Sequence, residues 1–312
     1  MRSTPHILVI NGTKVRRPVF VLGAPHSGTD RLARAVKHAP GFHLTMGRPA
    51  VLRTAYAFAR QPGIAERRGR GAARVLRDAF AEAWQISARA CSECPAECRA
   101  LSGLPPPETA PELPDPCTDP HGVVRYADAS PDLIYSADVL LDAFPDAQFL
   151  QIIRDGRDAV AGMLDDERCL AWFKPGLDNL DTVFPNAFYG VEDHTDRNRW
   201  PRAATAVKCA LRWRGSIRLS ARLRRQVPEE QLYTVRYEEL VARPRRVTAG
   251  IGDFLGADLP APAGLVRARS RDAEDPGVGS WRERLTARQT AQVEKVAGDE
   301  LRRLGYDLSS EV

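Results

Sequence analysis

The side chains with most capacity for chemistry cluster early, in Gly23-Ala24-Pro25-His26-Ser27-Gly28-Thr29-Asp30. A short apolar run, Val19 to Leu22, precedes them and reads as a buried strand. Leu32, Ala35 and Val36 follow at helical spacing. A strand, a glycine-bracketed loop and a helix N-terminus together make an anion site, because loop N–H groups converge and the helix dipole adds partial positive charge. The loop spells G-x-x-x-x-G-T, close to G-x-x-x-x-G-K-[ST] but without the Lys that reaches between phosphates. The expected chemistry is a phosphate cradle that is not an ordinary ATP loop. A plain strand-to-helix turn is the alternative.

A second basic position has the same setting. Gln148 to Ile153 reads as a buried parallel strand and feeds Arg154-Asp155-Gly156-Arg157-Asp158, followed by a helical run to Leu164. Arg154 thus stands at the carboxyl end of a strand, where doubly wound sheets hold ligands. Pairing with Asp158 at the surface is the other use for it. A third cluster differs in kind: Cys91, Cys94, Cys98 and Cys117 fall within a Pro-rich stretch as C-x2-C-x3-C…C. Four thiolates could close a tetrahedral structural zinc site; unligated thiols or disulfides are the alternatives.

The elements that must carry these residues alternate. Ile7 to Ile10, ending at Asn11-Gly12, reads as a strand pairing into the sheet edge near Val19. Phe42 to Met46 is a second strand, and residues 50–90 read as helical with a basic break at Arg67 to Gly71. The Cys/Pro stretch can be neither a regular helix nor a central strand. Leu133 to Phe144 is a helix ended by Pro145. Residues 165–202 are aromatic-rich and aperiodic, as expected of a substrate lid. Ala203 to Arg225 is a helix and Leu232 to Val235 a strand. A helix opened by Arg236-Tyr237-Glu238-Glu239 runs to Leu255, residues 260–280 are loop, and Thr286 to Leu304 is the last helix. This order predicts one α/β domain over residues 1–312, a three-layer sandwich around a central parallel sheet. It carries a Cys/Pro-rich insertion at about 91–120 and an aromatic-rich substrate loop at about 165–202.

Composition excludes some functions. Lys and Arg number 45 against 40 Asp and Glu, a formal net charge of +5, and most of the cations are Arg. That mild excess suits an anionic small molecule. No concentrated basic face interleaved with aromatics points to nucleic acid. No apolar run approaches the ~20 residues of a membrane span, and no signal-peptide pattern opens the chain, so a cytoplasmic location is expected.

Four stretches, in order, resemble sulfotransferases that use the donor PAPS (3′-phosphoadenosine 5′-phosphosulfate). Pro25-His26-Ser27-Gly28-Thr29 resembles the family's 5′-phosphosulfate loop, P-[KR]-S-G-T-T. Phe144 to Val160 resembles the strand and turn that bind the 3′-phosphate. Arg236-Tyr237-Glu238-Glu239-Leu240 with Pro244 resembles R-Y-E-x-L-x-x-x-P. Gly279-Ser280-Trp281-Arg282 with Leu285-Thr286 resembles the C-terminal G-x-W-R-x-x-L-T closure. The resemblance implies a P-loop NTPase-like fold and transfer of a sulfuryl group from PAPS to a hydroxyl or amine of a small-molecule or glycan acceptor. PAP is then the product. Ser27, Gly28, Thr29 and Asp30 would line the donor's sulfate end, Arg154 would fork onto the 3′-phosphate, Tyr237 would pack near the adenine, and Arg282 would close over the 3′-phosphate. A homodimer stays open.

The sequence departs from that pattern at three places. His26 stands where the family has Lys or Arg, and as an imidazolium it would still stabilise the leaving phosphate oxygen. Gly162 stands where many members have a Ser, and Thr45-Met46-Gly47-Arg48 lacks the family's Glu base. Asp128, His43, Asp30 and His194 are the candidate replacements, with Asp128 favoured by its place at the family's active-site edge. A P-loop kinase and a PAP-binding protein without transferase activity are the rival readings.

Overall fold

The computed structural model describes residues 7–62, 70–105, 115–174, 176–259 and 277–309. At its centre is a five-stranded sheet with every neighbouring pair parallel. Its strands are β3 (Val19–Leu22), β4 (Phe42–Thr45), β5 (Arg125–Asp128), β6 (Gln148–Ile153) and β7 (Leu232–Arg236), in spatial order β4-β5-β3-β6-β7. β3 lies in the middle because its residues are apolar on both faces. Phe20 and Leu22 enter one core with Phe80, Trp84, Phe144 and Phe149, and Phe20 meets the Phe80 ring at 5.1 Å. Val19 and Val21 enter the other with Leu32, Val36, Leu44, Leu150 and Ile152. Two cores on opposite faces of one sheet make the three-layer α/β architecture expected from the alternating elements.

Four local expectations are corrected. The segment before β3 does not extend the main sheet. Val9–Ile10 and Thr13–Lys14 (β1 and β2) form their own antiparallel hairpin around Asn11-Gly12, both with positive φ. The Cys stretch does contain helix, as two short pieces, Ala88–Ser92 and Ala96–Leu101, separated by Pro95; residues 106–114 of its Pro-rich run lie outside the described residues. The helix after β7 is two helices, Tyr237–Ala242 and Pro244–Leu255, because Pro244 has no N–H to continue the first. In the aromatic-rich segment Phe188, Tyr189 and Trp200 are core residues against the long helix Thr205–Gln226. Its short helices Glu167–Ala171 and His194–Arg199 leave Trp172 and Phe184 half-buried and His194 exposed. Most of the expected break at residues 67–71 and of the loop at 260–280 falls on residues 63–69 and 260–276, which lie outside the described residues.

The topology fixes where a ligand belongs. From β3 the chain crosses to β4 and β5 on one side, then passes to β6 and β7 on the other. The carboxyl ends of β3, β5 and β6 therefore flank the switch point of the sheet, where loops diverge and leave a crevice.

Candidate donor-binding site

The loop after β3 sits at that crevice. Its turn is closed by the Ser27 N–H donating to the Ala24 carbonyl at 3.1 Å, with His26 at φ 60°. Gly28 follows at φ 90° as the N-cap of helix Thr29–Lys37 and contributes no side-chain cap. Its left-handed backbone suits glycine. A Cβ there would also stand 2.6 Å from the Tyr237 ring, so loop and ring pack without a gap. The N–H groups of the first helical turn are therefore not consumed by a capping side chain. The neighbouring helix, Gly156–Leu164, is different. Asp155 caps it, accepting from the Arg157 N–H at 2.9 Å, and fills its own positive end with a carboxylate. Of these two helix starts, only the first has no side-chain cap.

Arg154 and Tyr237 converge on the loop. Arg154 leaves the end of β6, is 4 % exposed, and donates from Nη1 to the His26 carbonyl at 3.0 Å and from Nη2 to the Gly277 carbonyl at 2.9 Å. Its Cζ lies 4.1 Å from the centroid of the buried Tyr237 ring. It is thus not a surface residue, and its 4.0 Å approach to Asp158 is one of several contacts. Asp158 mainly holds the C-terminal closure: it accepts from the Gly279 N–H at 2.8 Å, the Trp281 N–H at 2.9 Å and the Ser280 hydroxyl at 3.1 Å. Ser27 is buried, Thr29 half-buried and Asp30 exposed on the first helical turn. Arg282 is exposed, with its guanidinium 4.6 Å from the Trp281 ring centroid.

His26 has a partner that the sequence did not suggest. Its Nε2 lies 3.0 Å from Asp166 Oδ2. Asp166 caps Glu167–Ala171, accepting from the Arg168 N–H at 2.8 Å, and accepts from the Cys169 thiol at 3.3 Å. Burial alone would push the Asp166 carboxyl up. The His26 ring, the Cys169 thiol and the Arg168 N–H outweigh it and hold the carboxyl below its ordinary value, so it stays ionised. Donor atoms of His26, Asp166 and Cys169 lie within 4.8 Å of one another. The Asp166 oxygens already accept these bonds, and burial pushes the Cys169 thiol up, away from the thiolate a metal would want.

Asp128 occupies a closed position. It is fully buried at the end of β5, where Oδ2 accepts from the Thr45 hydroxyl at 2.6 Å and Oδ1 from the Ser130 N–H at 2.7 Å. Burial raises its carboxyl to about 6 despite those bonds. Those bonds tie β4 to β5. His43 is also buried, and burial, with Lys37 nearby, lowers it to about 3. His194 lies against Phe184.

The four cysteines are brought together. Side-chain contacts link Cys117 to Cys91, Cys91 to Cys94, and Cys94 to Cys98, with no disulfide among them. Sequence order alone missed Asp166, whose reach to His26 spans 140 positions. Its only sequence mark is a helix-capping Asp before Glu167. Asp158 was visible, but as a partner of Arg154 and not as the clasp of the closure.

The sequence profile of the sulfotransferase family matches residues 18–168 and 178–261, most of the chain. This protein belongs to the sulfotransferase family. Structures similar to it include the sulfotransferase domain of the Synechococcus PCC 7002 olefin synthase, 16% identical, covering 99% of both chains with a TM-score of 0.45. Sulfotransferase STF9 of Mycobacterium avium is 16% identical, covering 94% of this chain and 78% of its own, with a TM-score of 0.47. Mouse sulfotransferase SULT7A1, solved with PAP, is 13% identical, covering 97% and 91%, with a TM-score of 0.43. Curated protein sequences give no match.

Proposed function

We propose that this protein is an enzyme that moves a sulfuryl group from PAPS to a hydroxyl or amine of a small-molecule or glycan acceptor. The observation that carries this reading is the helix start at Gly28, which has no side-chain cap and lies at the sheet's switch point with buried Arg154 against its loop. The 5′-phosphosulfate takes the N–H groups of the loop and first turn, with the Ser27 and Thr29 hydroxyls beside them. Asp30 flanks that end from the rim. Arg154 exchanges its carbonyl partners for the 3′-phosphate, a bidentate fit that separates this donor from ATP. Tyr237 backs both groups, and Arg282 closes from the C-terminal segment.

Transfer is then in-line displacement at sulfur. The acceptor oxygen or nitrogen forms the new bond to sulfur and gives up its proton to solvent; the bond to the bridging phosphate oxygen breaks, and PAP leaves with the negative charge that grows on that oxygen. His26, its ring held by Asp166, stabilises that charge.

Thermal stabilisation by PAP, compared with AMP and ATP, tests the assignment. PAP should give the largest shift, and Arg154→Ala should erase its advantage over AMP. An equal shift from PAP and AMP in the unmodified protein would overturn the 3′-phosphate site. Dependence of transfer on magnesium would favour a kinase.

A further inference from the structure

The sulfotransferase reading makes no use of the four clustered cysteines, yet their surroundings are specific. Each sulfur receives one N–H donor. The Cys117 N–H points at Cys91 Sγ at 3.4 Å, and Arg48 Nη1 at Cys94 Sγ at 3.1 Å. The Met46 backbone bonds to Cys98, and Lys37 Nζ lies 3.7 Å from Cys117 Sγ. A neutral thiol is a weak acceptor and a disulfide sulfur weaker, whereas N–H donors arranged around each sulfur are what thiolates on a metal require. Charge points the same way. Four thiolates on one divalent ion leave two net negative charges, and the two cations aimed at the cluster are Lys37 and Arg48. Arg48 is buried there and Lys37 half-buried.

We propose that Cys91, Cys94, Cys98 and Cys117 bind one zinc ion as a closed four-thiolate site. Thiolate ligands without oxygen or open positions select a soft tetrahedral ion and give it a structural role. The sulfurs now run as a chain from Cys117 through Cys91 and Cys94 to Cys98. The ion draws the two ends together and releases the thiol protons. What it fastens is the border of the crevice. Arg48, Met46 and Lys37 belong to β4's flanks, and Gly47 between them donates to the Ser130 hydroxyl at 2.9 Å, beside Asp128.

The test is elemental analysis of the full chain, purified under reducing conditions without chelator. About one zinc per chain is expected. Cys94→Ser and Cys98→Ser should each lower that value, and Cys209→Ala, in the distant long helix, should not. Cobalt(II) in place of zinc should give the charge-transfer and visible bands of a tetrahedral thiolate site, a reading that stands even if the serine variants fail to fold. Less than about half an equivalent of zinc, together with six freely titrating thiols or a mapped disulfide among these four, overturns the proposal.

Discussion

The His26 ring lies directly on Gly162: a Cβ at position 162 would stand 2.7 Å from both its Cγ and Nδ1. The two residues are also two of the places where this sequence leaves the family pattern, so one departure makes room for the other. Gly162 is inside helix Gly156–Leu164, where Gly→Ala ordinarily gains about 1 kcal/mol. Crowding the ring costs about 1–3 kcal/mol. Gly162→Ala should therefore destabilise the native protein but stabilise a His26→Gly background, which also removes the His26 Cβ that would stand 2.8 Å from the added methyl. Chemical denaturation of the four proteins measures the sign change, and a Gly162→Ala protein more stable than the unmodified one would refute the coupling.

The His26–Asp166 pair carries a prediction about pH. The groups around the ring are Asp166, the Cys169 thiol bonded to that carboxylate, and Arg154, which donates to the His26 carbonyl. If the ring stabilises the leaving oxygen, His26→Ala should lower kcat about 100-fold and His26→Lys should restore most of it. A His26→Ala protein as fast as the native one would remove His26 from the role. Asp166 acts on the acid side. Its carboxyl is lowered in the folded protein, so its contribution is present above the ordinary carboxylate value and lost as pH falls through the folded one. Melting temperatures of Asp166→Asn should fall less steeply than those of the native protein below about pH 4.

How much of this site was readable in the sequence depended on range. The anion loop was legible because strand, Gly28 and helix are contiguous, and Arg154 because it follows a strand directly. The split at Pro244 was also local, but the run Arg236 to Leu255 overrode the proline in a reading by periodicity. Asp166 was not legible: nothing local distinguishes a capping Asp that also meets His26 from one that only caps. Asp128 was legible only by position. Its position in the chain fits an active-site edge, but whether a strand-end carboxylate faces solvent or Thr45 is decided by the neighbouring strand. The aromatics at 188, 189 and 200 read as a lid because their burial under Thr205–Gln226 leaves no periodic mark.

Asp128 makes a prediction with a definite sign. Its carboxyl is raised to about 6 by burial. A raised carboxyl contributes fully below the unfolded value of about 3.9 and loses that contribution as pH rises through the folded one. Asp128→Asn keeps an acceptor for the Ser130 N–H and can donate to Thr45 Oγ1, yet never ionises. Its stability relative to the native protein should increase between about pH 4 and 6, followed by thermal melts, and turnover should survive. Loss of turnover with the fold intact would restore Asp128 as the base.

Asp158 tests the closure. It holds the backbone of Gly279 and Trp281 and the Ser280 hydroxyl, and Arg154 bonds the Gly277 carbonyl in the same segment. Two opposite effects follow from removing it. As a negative charge near an anionic donor, its loss would tighten PAP binding; as the clasp of the segment carrying Arg282, its loss would weaken it. Three accepted hydrogen bonds, each worth about 0.5–1.5 kcal/mol, outweigh one carboxylate already neutralised by the donors it faces. Asp158→Ala should therefore bind PAP at least about tenfold more weakly by calorimetry, a loss of about 1.4 kcal/mol. Its effect should be less than additive with Arg154→Ala, because the two side chains approach each other at 4.0 Å. Tighter PAP binding by Asp158→Ala would show that the carboxylate acts through its charge and that the segment is held without it.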